Sequence, residues 1–148
     1  MRKRVAGIGF GSERGALSLE AVVLLPALLL VLMLVIAFGR ISSSGNTVDT
    51  AARNAARAAS LERSAESARS AGESVAFDIL HNHGMLCTSM SVSISTGGFA
   101  VPVGQPASAT ATVTCTVPLS DIGLPGLPGT KTLTSTFTSP IDSYRQRG

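Results

Sequence analysis

One carboxylate, Glu20, lies inside the longest apolar stretch of the chain, ALSLEAVVLLPALLLVLMLVIAF over residues 16–38. An acid facing hydrocarbon is disfavoured by up to about 3 kcal/mol at mid-bilayer, so such a group keeps a partner or a function. The spacing offers as partner an amine that a peptide cleavage would create. If the chain is cut after Gly15, Ala16 carries a new ammonium and Glu20 becomes the fifth residue, one helical turn and about 6 Å further along the axis. Opposite charges in so poorly screened a place offset each other's desolvation, within one chain or between neighbours staggered along a bundle. The chemistry would then be charge pairing at Glu20, conditional on a cut of the Gly15–Ala16 bond.

The other residue types capable of chemistry carry less. His81 and His83 are two apart and do not share a helical face, and a zinc site needs more ligands than they supply, so no metal site is expected. Cys87 and Cys115 are the two cysteines of the chain, and an even number in an oxidising compartment reads as one disulfide, closing a loop of about 29 residues. No serine or cysteine stands in a recognisable nucleophile signature, and the carboxylates beyond Glu20 mostly sit at salt-bridge spacing. No catalytic residue, cofactor or enzymatic activity is expected. The GIGFG of residues 7–11 follows no strand and lacks the phosphate-loop spacing, so it reads as a flexible leader.

The element that positions Glu20 is a membrane helix. From Ala21 to Phe38 no side chain is polar, and 23 helical residues from Ala16 span about 35 Å against a hydrocarbon core of roughly 30 Å. A cleaved secretory signal would have a shorter apolar run and a small-x-small cleavage site, which AFGRISSSG does not offer. Arg2, Lys3, Arg4 and Arg14 precede the helix and Arg40 alone follows it, which places the N-terminus in the cytoplasm and the rest outside. The net charge of +3 belongs almost wholly to that basic leader, and no basic stripe is interleaved with aromatics, so nucleic acid is excluded as a partner.

Beyond the span, ISSSGNT contains helix-starting residues. Ala51, Ala55, Ala58, Ala65, Ala68, Ala71, Val75 and Ile79 then recur at helical spacing, interrupted at Leu61 and Glu62, which predicts one long amphipathic helix with an alanine face. Asp49 with Arg53, and Arg69 with Glu73, stand at i,i+4 on other faces. Gly84 marks the helix end. The period then changes to two in MSVSIST, in ASATATVTCTV with Ala109, Ala111, Val113, Cys115 and Val117 on one face, and in KTLTSTFT with Leu133 and Phe137 together. Three half-buried antiparallel strands are expected, with Cys87 placed before the first strand or at a bulge. The fold class is α+β.

A basic leader ending in Gly, then ALSLE with Glu at the fifth position of an apolar helix, resembles the type IV prepilins. Pro26 in EAVVLLPALLL, the FGR that ends the span, AARNAARAA and the tail VTCTVPLSDIGLPGLPGTKTLTSTFTSPIDSYR are similar to TadE-like pilus-assembly proteins of tight-adherence (Flp) systems. The residue patterns divide the chain into a transmembrane helix over 16–38, an amphipathic helical segment over 39–84 and a small β domain over 85–148, and the resemblance implies that 1–15 is a prepilin-type leader. It also implies processing by a prepilin peptidase and partnership with other pilin or pseudopilin subunits and the Tad assembly machinery, beside the membrane that the apolar run itself calls for. Glu20 would set register between subunits, and Pro26 would kink the helix. The exported part is larger than that of a major Flp pilin, which points to a minor pilin or pseudopilin. The rival reading is an uncleaved single-pass protein whose disulfide-bonded head binds a ligand.

Overall fold

The computed structural model describes residues 13–122 and 128–146, with side chains from residue 22 onward except at 41, 121 and 122. The chain divides into two units, Met1–Ile36 and Ala37–Gly148. Helix α1, Glu13–Leu61, contributes to both, and α2 covers Ala65–Asn82. No new helix begins at ISSSGNT, because α1 runs through it. Ser44, Thr47 and Thr50 donate their hydroxyls to the carbonyls of Arg40, Ser43 and Asn46, each four residues back. This back-bonding satisfies hydroxyls that otherwise favour a cap or a turn.

The single long amphipathic helix expected from the alanine pattern is two helices, parted at Glu62–Ser64 where the stripe falters. Ser64 caps α2: its Oγ accepts the Ser67 N–H at 3.2 Å, and Ser67 Oγ accepts the Ser64 N–H at 3.3 Å. This reciprocal box satisfies two backbone donors at the start of the helix. At the other end Gly84 takes φ 64°. Gly84 N–H donates to His81 O at 2.9 Å and Met85 N–H to Leu80 O at 3.0 Å, the paired closure that a left-handed glycine permits.

Three antiparallel strands follow, β1 Ser89–Ser95, β2 Ala107–Pro118 and β3 Thr130–Ile141, in the order β1-β2-β3. Pro140 is tolerated because β3 is an edge strand. The inward face of β2 is Ala109, Ala111, Val113, Cys115 and Val117, all fully buried. The outward face carries hydroxyls in register: Ser89, Ser91, Ser93 and Ser95 stand opposite Thr116, Thr114, Thr112 and Thr110. Those four threonines pair with Thr132, Thr134, Thr136 and Thr138 through hydroxyl–hydroxyl bonds of 2.9–3.2 Å.

Both helices of the second unit pack on the inward face. Val48, Ala51, Ala52, Ala55, Ala56 and Ala59 form the buried stripe of α1, while in α2 the buried stripe is Ala68, Gly72, Ala76 and Leu80. Of the expected stripe, Ala58, Ala71, Val75 and Ile79 are half-buried at its border and Ala65 is exposed. The true line in α2 passes through a glycine: a Cβ at Gly72 would stand 2.7 Å from Ile94 Cδ1 and 3.2 Å from the Ala55 carbonyl oxygen. There α1, α2 and β1 meet. A 3-10 turn, Gly97–Ala100, delivers Phe99 into the same core.

Candidate functional site

The site proposed from sequence lies at the start of α1. Residues 1–12 are outside the described residues, as are the side chains of Gly15, Ala16 and Glu20. Their backbone from Glu13 on is helical, which sets Ala16 and Glu20 one turn apart on one face. Pro26 lies inside the helix. Having no N–H, it leaves the carbonyl four residues earlier, that of Val22, without the usual partner. A helix continues through proline where the surroundings are apolar and neighbouring helices or local adjustment re-satisfy the backbone.

From Val22 to Ile36 every residue is exposed, on all sides of the helix. Leu28 and Leu30 reach 71% and 70%. A helix apolar all round is stable only when lipid or other helices cover it. With a mean hydropathy of 3.0 it is long and apolar enough to cross a membrane, and it fits a single-pass membrane protein. The polar residues that flank the apolar run supply the ends: Arg40 is exposed and stands two residues after Phe38.

In the second unit the thiols are consumed. Cys87 and Cys115 form a disulfide with Cα atoms 5.4 Å apart, joining the segment before β1 to the central strand. His81 and His83 are exposed at the last turn and cap of α2. Among the described residues no group of three or more His, Cys, Asp or Glu is placed to hold a metal ion. Asp49 pairs with Arg53 at 3.9 Å as its spacing suggests, but Arg69 turns to Glu66 at 3.5 Å and not to Glu73. Arg53 also lies over the Phe137 ring, 5.2 Å from its centroid, and Ser135 donates to the Asp49 carboxylate, so this part of α1 is held along β3.

Two contacts that carry no sequence signal close the end of α1. Ser60 Oγ meets Ser139 Oγ at 3.0 Å, and the Arg145 guanidinium donates to the Leu61 carbonyl. The last turn of α1 has no basic residue of its own, and Arg145 brings the cation that a helix C-terminus favours.

No curated protein and no solved structure matches the chain. The model of the TadE-like protein family matches residues 15–57, a segment that starts at Gly15, contains Glu20 and Pro26, and ends within the alanine face of α1.

Proposed function

We propose that the chain is a pseudopilin or minor pilin of a Tad-type pilus. It is inserted by its apolar helix with the N-terminus in the cytoplasm and cleaved between Gly15 and Ala16 by a prepilin peptidase. The mature subunit then packs its helix against other pilin subunits. Glu20 meets the new Ala16 ammonium of a neighbour and fixes the axial register, and the second unit forms the head outside the membrane. No step of this reading asks the chain to act as an enzyme. The observation that carries it is the Gly-x-x-x-x-Glu element at residues 15–20, in a helix that is apolar on every side and falls within the TadE-like match.

Intact-mass analysis of the membrane-bound protein tests the processing step. In cells with an active peptidase the chain starts at Ala16, and in its absence at Met1. A start at Met1 in both would leave the rival reading, an uncleaved single-pass protein with a binding head. For the register step, Glu20→Gln leaves insertion and cleavage intact and lowers incorporation into pili; piliation equal to wild type would remove that role from Glu20.

A further inference from the structure

The outward face of the sheet is of unusual chemistry. Its 16 outward positions are 14 serines and threonines and two prolines, Pro118 and Pro140, with no charged, aromatic or large aliphatic side chain. A solvated sheet face ordinarily carries charges of both signs to keep it soluble and alone. Here the helices take the opposite face, and among the described residues none covers this one. The hydroxyls lie in four registered Ser–Thr–Thr rows, about 4.8 Å apart across strands and roughly 6.7 Å apart along them.

We propose that this face binds the surface of an insoluble, uncharged, hydroxyl-bearing polysaccharide. The proposal rests on the reading that the second unit is displayed outside the cell. Absence of charge removes the complementarity that a nucleic acid, an anionic lipid surface or a charged protein patch requires. A lattice of hydroxyls matches a partner that offers donors and acceptors in equal measure and carries no charge. Within each Thr–Thr pair one hydroxyl donates to the other, so one donor proton per pair remains for a ligand. The pairing also fixes rotamers beforehand, which lowers the ordering cost of binding. The lattice measures roughly 10 by 20 Å between its outermost hydroxyls. That is smaller than the roughly 800 Å² per partner of a stable protein interface. It suits an extended surface engaged by many copies at once, where weak contacts multiply. With no aromatic ring to stack on one sugar, a short soluble oligosaccharide gains too few contacts to compete.

The test is co-sedimentation of the purified full chain, in nanodiscs, with microcrystalline cellulose and with chitin particles. Wild-type protein partitions onto at least one of them. A variant carrying Thr112→Val, Thr114→Val, Thr134→Val and Thr136→Val keeps the β-branched shape and the disulfide but lowers the apparent partition constant at least tenfold. Excess soluble cello- or chito-oligosaccharide leaves wild-type binding unchanged. The proposal is overturned if wild type stays in solution with both particles, if the valine variant sediments as well as wild type, or if retention is equal on charged beads or on ice. A dimer of the wild type that the valine variant loses would show that the face serves a second copy instead, which also overturns it. Because the assay needs neither peptidase nor pilus, its failure leaves the processing and Glu20 results standing.

Discussion

At the scale of single residues, the tightest constraints fall where a side chain is missing. A Cβ at Gly98 would stand 2.3 Å from the Ser108 carbonyl oxygen and 2.9 Å from the Ser108 nitrogen, whereas one at Gly97 meets nothing within 4 Å. Backbone cannot step aside as a side-chain tip can. Gly98→Ala therefore destabilises the head by about 1–3 kcal/mol, while Gly97→Ala stays within about 0.5 kcal/mol, as read by urea unfolding of the two variants. Equal midpoints for the two would show that the approach of residues 97–100 to β2 is not tight. Such positions are hard to read in a sequence. The stripe expected along residues 65–79 ran beside the true one because its central member, Gly72, contributes space and no side chain to the pattern. The choice of Glu66 over Glu73 by Arg69 was equally open, since i,i+3 and i,i+4 both place charges side by side on a helix. At Gly15, Ala16 and Glu20, by contrast, residue type and spacing alone state the whole hypothesis.

At the scale of elements, boundaries were less legible than existence. All three strands stood out through period two, which β2 keeps without exception, each inward residue from Ala109 to Val117 being fully buried, whereas Phe137 on the same face of the edge strand β3 stays 39% exposed. Gly84 ends α2 with the left-handed turn that its position suggested. The helices were harder. Serine, threonine and asparagine over residues 42–47 resemble a helix start, yet hydroxyl bonds to preceding carbonyls let α1 continue. The true break, at Glu62–Ser64, depends on the competition between one more turn of α1 and the Ser64–Ser67 box of α2. Removing the box should show its share. Ser64→Ala lowers unfolding free energy by about 0.5–2 kcal/mol and Ser64→Asp restores most of it, measured by circular dichroism in denaturant. An alanine variant as stable as wild type would mean that tertiary packing alone holds the break.

For the molecule as a whole, the second unit is built on a thin core. Among the described residues its largest fully buried side chains are Leu80, Val48, Val113, Val117 and Cys115, and six of the 17 buried apolar residues are the Val48 and alanine stripe of α1. Alanine lets helix and sheet approach closely but removes little apolar area from water, at about 25 cal/mol per Å². The Cys87–Cys115 bridge is then a main prop: with a sequence separation of 28 it contributes about 3–4 kcal/mol on the chain-entropy model. Replacing both cysteines with alanine, or adding reductant, should cost that much in urea unfolding of the full chain, and a loss below about 1 kcal/mol would show that the alanine core suffices.

The clasp at the end of α1 has a temporal consequence. Ser60 and Leu61 wait for partners 79 and 84 positions later, Ser139 and Arg145. Ribosomes deliver residues in order, so the end of α1 is made early and its clasp stays open until the end of β3 and Arg145 arrive. A nascent chain halted before residue 130 therefore has an unclasped helix end and an open edge on β2, the kind of surface that chaperones hold and proteases clear.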